Sequence, residues 1–276
     1  MRGPVADDGR DTRVALSGGW LWRGPRHRRA EERLRAEADF LGWLAPQVPL
    51  AVPLPELFSA TPLRLRHRPI MGDRWTPGVD DAAEGEAFGA FLATLHALPT
   101  DEAVTAGARD AEELTVEQQR LRERWSTEVV PRLPRPVQAT ALAVLMRQID
   151  AGDVDATLVH GDVRAEHVLR GDRGLVGVID WLDAGIGDPA MDLAWPLYGT
   201  TPQFVEGFRA ACPVRPDLEA RALGHHRLRG MRAVLDALDH ADAAAARRAL
   251  TSLERRLHGR GESVGETESE DRGRRR

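Results

Sequence analysis

The chain of 276 residues carries a formal net charge of −5, which leaves room for one large domain or two lobes and gives no basic surface of the kind nucleic-acid binding needs. Its single cysteine, Cys212, permits neither an internal disulfide nor a cysteine zinc site and reads as core, and no apolar run is long enough to span a membrane. Lysine and asparagine are both absent, so all 38 basic residues are arginine, the mark of a GC-rich coding sequence.

The start "MRGPVADDGRD" lacks the apolar core of a secretory signal, so a cytoplasmic protein is expected. Alternation in "VALSGGWLWRGPR" predicts a hairpin, Val14 to Leu16 and Trp20 to Trp22, around Ser17-Gly18-Gly19. A helix should follow, with Leu34, Ala38, Leu41 and Leu44 at helical spacing and Pro46 closing it. "PQVPLAVPLPEL" reads as a stiff connector, and Leu63 to Met71 as a strand running into Gly72, where a boundary between a small and a larger lobe fits. The expected lobes are residues 1–72 and 73–258.

The second lobe opens on a helix in which Asp81 and Glu84 can form a capping box and Phe88, Phe91, Leu92, Leu95 and Leu98 make one apolar stripe. Helices at about Thr115 to Val129 and Pro136 to Ala151 come next, then strands at Thr157 to Val159, Val168 to Arg170 and Leu175 to Ile179, the last two joined by "GDRG". The remainder reads as helical to about Leu257, before the polar, Gly-rich tail 259–276, which should be disordered.

The chemistry concentrates in "LVHGDVRAEHVLR". Asp162 follows an apolar strand and a tight His160-Gly161 turn, His167 comes five residues later, and Asp180 ends the strand "LVGVID". Two antiparallel strands would then present a base and two metal ligands at one end of a small sheet. Phosphoryl transfer needs that set: a carboxylate to orient a hydroxyl, and ligands for Mg²⁺ on the phosphates.

"HGDVRAEHVL" with "GVIDWLDAGIGDPAMDLAW" resembles the aminoglycoside and macrolide phosphotransferases, small-molecule relatives of protein kinases. The resemblance spans about residues 5 to 255 and implies an α+β, two-lobed protein-kinase-like fold: a small N-terminal antiparallel-sheet lobe and a larger, mostly helical C-terminal lobe. It implies Asp162 as catalytic aspartate and Asp180 as metal-binding aspartate, within Asp180-Trp181-Leu182, so no activation-loop switch is inferred. His167 stands where many relatives have asparagine and the macrolide kinases have histidine; it is either a metal ligand or a packed histidine orienting the loop. Arg164 is either a phosphate clamp or a surface arginine. His160 reads as scaffold, and Glu166 and Arg170 need no role.

On the nucleotide side, Gly9, Asp11 and Thr12 would lie over the phosphates, and Arg23 falls where kinases carry a strand lysine, with Glu37 as its partner. Main-chain groups near Arg68 and Ile70 would meet the base. Asp188 should cap the helix at Pro189 and bond back to the catalytic loop, Asp192 should anchor the same helix, and Asp183 reads as lying on an exposed turn from which it could approach the metal or a cationic substrate, which the spacing does not decide. The expected cofactors are ATP or GTP and Mg²⁺, and the expected activity is phosphorylation of a hydroxyl on a small molecule, with an aminoglycoside or macrolide first. Trp195, Phe204, Phe208, Glu206, Asp236, Asp239 and Asp242 could shape an apolar or acidic acceptor site, although the last three also read as a solvated helix face. A kinase of homoserine, choline or a sugar, and a weakly catalytic nucleotide-binding pseudokinase, are the alternatives. The expected assembly is a monomer or homodimer, with no nucleic-acid or membrane partner.

Overall fold

The computed structural model describes residues 12–78, 81–149 and 154–258. Gly9, Asp11 and the expected disordered tail lie outside them. The chain opens with β1 (Thr12–Ser17) and β2 (Trp20–Pro25), paired so that Ser17 faces Trp20 across a two-residue turn. Gly18 and Gly19 hold φ of +60° and +74°, the pair of positive angles such a turn demands. Next come α1 (Arg28–Leu44), β3 (Glu56–Ala60) and β4 (Leu63–His67). The strands form one antiparallel sheet in the order β1-β2-β4-β3, and Leu63 and Leu65 pack on Leu34 and Ala38 of α1.

Two expectations shift here. β3 falls where only connector was expected, because Leu57 and Phe58 of this edge strand face outward, where Trp22 meets Phe58 edge-on and Arg66 lies over Trp20. The strand expected to reach Met71 stops at His67, just before Pro69, which has no N–H to extend a ladder.

The larger part contains β5 (Asp73–Arg74), α2 (Asp81–His96), α3 (Thr100–Thr105), α4 (Ala111–Arg124), α5 (Arg135–Ile149) and β6 (Thr157–Val159). It continues through β7 (Val168–Gly171), β8 (Gly174–Val178), β9 (Gly185–Gly187), α6 (Ala190–Tyr198), α7 (Pro202–Ala211), α8 (Pro216–Leu228), α9 (Gly230–Asp239) and α10 (Ala243–Leu257). β5, β7 and β8 form one small sheet and β6 pairs with β9. The very short β5 and β9 and the six-residue α3 leave no periodic signal in the sequence.

The apolar stripe of α2 is buried as expected through Phe88, Phe91, Leu92 and Leu95, and Leu98 packs on the same core just past the helix end. Trp195, Phe204 and Phe208 complete this core around Phe88 and Trp75, so none of the three faces an acceptor. The close crossing of α2 and α7 rests on glycine: a Cβ on Gly85 would come 2.0 Å from the Phe204 carbonyl oxygen. A second core joins α5, α9 and α10 through Val137, Ala141, Met231, Val234 and Leu253.

Asp81 and Glu84 are buried but do not form the expected capping box. Asp81 accepts from Gly78 N at 2.7 Å and from the Thr201 hydroxyl at 2.6 Å, while Glu84 accepts from Trp75 Nε1 at 2.9 Å. Both carboxylates also bind Arg170 of β7, which therefore has a role after all: it ties the small sheet to α2. The pull of Glu84 is invisible in the sequence because the two residues lie 86 positions apart.

Candidate active site

The loop from His160 to His167 joins β6 to β7 and turns at Gly161, whose φ is +82°. A Cβ there would sit 2.5 Å from the Asp183 carbonyl oxygen, so only glycine lets the two loops approach. The His160 ring accepts from Asp162 N at Nδ1 (3.2 Å) and donates from Nε2 to the Ile179 carbonyl (3.0 Å), which makes it a brace between the loops. Its ring lies against Trp181, 4.5 Å between centroids.

Bonding back to the loop falls to Asp192, not Asp188. The Asp192 carboxylate, fully buried, accepts from His160 N (2.8 Å), Gly161 N (2.9 Å) and His96 Nε2 (3.1 Å). Asp188 stands one residue before the N-cap, which is Pro189 and not Asp188 as expected; it accepts from Ala190 N at 3.0 Å, and its other side-chain contacts go to Arg221 and His225. Both residues belong to "GDPAMD", and spacing alone does not say which one turns inward.

Asp162, Arg164, His167 and Asp180 are brought together. Asp162 pairs with Arg164 through Oδ2. The His167 Nδ1–H donates to the Asp162 carbonyl at 2.8 Å, so in the neutral ring Nε2 carries its lone pair toward Asp180 Oδ2, 3.3 Å away. Burial pushes the His167 imidazole below its usual pKa despite the opposing pull of Asp180, which favours the neutral form. Asp180 holds a φ of +68° and is half exposed. Two electron-pair donors facing each other at this distance suit a shared cation. Mg²⁺ fits such a pair, since it commonly takes one or two protein ligands and fills its shell with phosphate and water. Among the described residues no cluster of three such ligands occurs.

Arg23 of β2 and Glu37 of α1 meet as expected, Nη1 to Oε1 at 2.8 Å, with both side chains nearly buried. Burial opposes the Arg23 charge, but Glu37 and, more weakly, Asp180 hold the guanidinium above its usual pKa, so this pair faces the Asp180 loop. Thr12 is buried at the start of β1. The Arg68 side chain reaches back to the Gly19 carbonyl (3.1 Å) and stacks on Trp20, its own carbonyl accepts from the His67 ring (3.1 Å), and Ile70 packs against Gly177.

Asp183 is not on an exposed turn. Arg232 donates to it at 2.7 Å, and Arg109 and Arg33 stand 3.6 and 3.7 Å away. Burial alone would raise its pKa, yet the three guanidiniums hold it below the usual carboxylate value. Arg33 of α1 also donates to the Leu182 carbonyl at 2.8 Å, which fastens the helix carrying Glu37 to the loop carrying Asp180. Sequence reasoning does not find Arg33, Arg109 and Arg232, because in a chain so rich in arginine nothing local distinguishes them.

Beside Asp162 opens a recess whose walls include Gln118, Trp125, Met191, His225, Arg229 and Arg232. None of the expected acidic residues lines it: Asp239 pairs with Arg124 at 2.7 Å and Asp242 caps α10, while Asp236 and Glu206 lie elsewhere.

The model of the phosphotransferase enzyme family matches residues 4–230. The chain belongs to this family. Solved structures share the two-lobed, protein-kinase-like fold of this phosphotransferase. The GDP and kanamycin complex of APH(2")-IIia superposes with a TM-score of 0.79 at 20% identity, covering 91% of each chain. Macrolide 2'-phosphotransferase type I gives 0.69 at 25% identity over 92% of this chain and 91% of its own. The macrolide 2'-phosphotransferase MphH from Brachybacterium faecium gives 0.66 at 24% identity over 89% of each. Comparison with curated proteins found no match. Among the described residues no helix is long and apolar enough to cross a membrane.

Proposed function

We propose that this phosphotransferase moves the terminal phosphoryl group of ATP or GTP to a hydroxyl of a small molecule held beside Asp162. The observation that carries this reading is the convergence of Asp162, His167 and Asp180 on two adjacent loops, braced from behind by His160 and Asp192. Asp162 orients the hydroxyl and takes its proton as the oxygen attacks in line. Arg164, now on Asp162, is close enough to swing its guanidinium onto the transferring phosphate. A divalent cation on Asp180 and neutral His167 would supply charge neutralisation at the phosphate oxygens. Arg23, held by Glu37, places a further positive charge on the nucleotide side, with Thr12 over the phosphates and the 68–70 segment against the base.

Two solved relatives are described as a GDP complex and an ADP-bound form, so both purines belong in the test. Relatives described as acting on macrolides or bound to kanamycin make antibiotics the first acceptors to try. Nucleotide consumption with Mg²⁺ is measured against aminoglycosides, macrolides and hydroxylated metabolites. Turnover should fall by about 10²- to 10⁴-fold in Asp162→Asn, the range of a general base. Asp180→Ala should lose the Mg²⁺-dependent part of the thermal shift given by nucleotide. One observation favours a second reading, a nucleotide-binding protein of weak catalysis: the Asp162 carboxylate is already occupied by Arg164. A nucleotide-dependent thermal shift without turnover of any acceptor would support it and count against phosphotransfer.

A further inference from the structure

The recess beside Asp162 has an unbalanced charge. Its ionisable walls are Asp162, His225, Arg229 and Arg232. Asp162 is engaged by Arg164, Arg232 by Asp183 and, at 3.6 Å, by Glu117, and His225 lies 3.7 Å from Asp188. Arg229, at the junction of α8 and α9, has no carboxylate of the described residues within 4.0 Å. Burial lowers its pKa to about 10, with Asp162 pulling the other way, so it stays charged at neutral pH. One donor here is also unmet: the Nε1–H of Trp125, on the recess wall, is buried without a partner, as is the Nε–H of Arg164 on the neighbouring loop. Leu121, Met191, Ala194 and Leu228 make an apolar part of the wall, and Gln118 adds a neutral polar group. A polycation entering this space would meet Arg229, which no carboxylate of the described residues pairs, beside Arg232 and Asp162, each already paired.

We propose that the acceptor carries an oxyanion, a carboxylate or a phosphate-type group, which Arg229 holds, with the paired Arg232 beside it, so that a hydroxyl elsewhere on the same molecule reaches Asp162. The inference rests on the phosphotransferase reading above and names the acceptor class for it. A guanidinium offers parallel donors that match both oxygens of such a group, and its weak hydration makes it the cation least costly to leave half-buried while it waits. Trp125 and Leu228 would lie along the carbon skeleton between the anionic end and the hydroxyl.

The test has two arms. In the first, sulfate is titrated calorimetrically into protein saturated with Mg-ADP, so that the nucleotide site is filled. Wild type should bind it, and Arg229→Gln should weaken binding roughly 10- to 100-fold, the range for a hydrogen bond to a charged group. Gln118→Glu, which adds a negative charge to the recess and removes neither arginine, should weaken it likewise even if Arg229→Gln folds poorly. In the second arm, acids and neutral counterparts are compared as acceptors: glycerate with glyceramide, gluconate with gluconamide, glycerol 3-phosphate with glycerol, and alongside them kanamycin and erythromycin. The acids should lead in kcat/KM, and the ratio of acid to neutral should fall toward one in Arg229→Gln. Sulfate binding that depends on Arg229 supports the site even if no compound of the panel is turned over. Equal sulfate binding in wild type and both variants, or faster turnover of kanamycin, erythromycin or the neutral compounds, overturns the oxyanion acceptor while phosphotransfer stands. Loss of nucleotide binding and of all turnover would instead remove the phosphotransferase reading, leaving the sulfate arm to decide the recess alone.

Discussion

Replacing Asp192 with alanine should be among the most damaging single changes in the chain, although the side chain touches no substrate. Its fully buried carboxylate is the meeting point of three donors, His160 N, Gly161 N and His96 Nε2, at 2.8, 2.9 and 3.1 Å. Alanine leaves two backbone N–H groups and an imidazole without that acceptor in an interior where an unmade bond to a charged group costs about 1.5–3 kcal/mol. Partial relaxation and an entering water offset some of this, so the net loss should be about 3–5 kcal/mol, the range for breaking a buried charged network. At ~2–4 °C per kcal/mol for a domain of this size, the melting temperature should fall by roughly 10 °C. Asp192→Asn would keep an acceptor for one backbone N–H but turn its amide toward the other donors, and should lose about half as much. Because Gly161 precedes Asp162, the loop should also loosen: kcat of Asp192→Asn should drop by about 10-fold or more while the nucleotide-dependent thermal shift persists. Thermal and urea denaturation, with turnover of whichever acceptor is found, measure all three. An Asp192→Ala protein melting within about 2 °C of wild type would refute the reasoning.

Arg170→Met should cost about 3–5 kcal/mol in urea denaturation, because it strands the buried carboxylates of Glu84 and Asp81; a loss under about 1 kcal/mol would mean that this network does not hold β7 to α2. Gly85→Ala and Gly42→Ala should have opposite signs although both lie in helices. The first drives a Cβ to 2.0 Å from the Phe204 carbonyl oxygen and should destabilise by about 2 kcal/mol, whereas the second meets nothing within 4 Å and should stabilise by about 0.5–1 kcal/mol. Burial beside Arg256 and Arg229 lowers the His226 pKa from 6.5 to about 4, so the folded state favours its neutral form. The stability this gives is complete above pH 6.5 and should drain away as pH falls toward 4, by at most about 3 kcal/mol. His226→Gln should flatten the melting temperature over that window; an unchanged acid limb would assign it to other groups.

Much of the architecture is legible because the relevant signals are local. The Gly18-Gly19 turn, the stripe of α2 and the hairpin of β7 and β8 are each specified by residues a few positions apart, and the spacing of Asp162, His167 and Asp180 follows from one strand pair. What stays hidden depends on distant partners. Asp183 reads as an exposed group in the sequence because its arginines come from α1, α9 and the segment before α4. Trp195, Phe204 and Phe208 look like substrate-binding aromatics until the crossing of α2 and α7 encloses them. β3 lacks a buried face, so it lacks a pattern to read.

The absence of lysine connects these buried contacts. A lysine ammonium is a point charge, whereas a guanidinium spans several acceptors in one plane. Arg170 reaches both oxygens of Glu84 and one of Asp81, Arg221 both oxygens of Asp188, and Asp183 gathers three guanidiniums from separate elements. Even Arg23, the residue that the resemblance to kinases sets in place of a strand lysine, keeps Glu37 at hydrogen-bonding distance. Replacing these arginines with lysine is therefore not conservative, since one ammonium cannot replace two or three directed donors. Where these guanidiniums are each met by a carboxylate, Arg229 beside Asp162 has none of the described residues within 4.0 Å, and the oxyanion proposed for the acceptor would supply that partner.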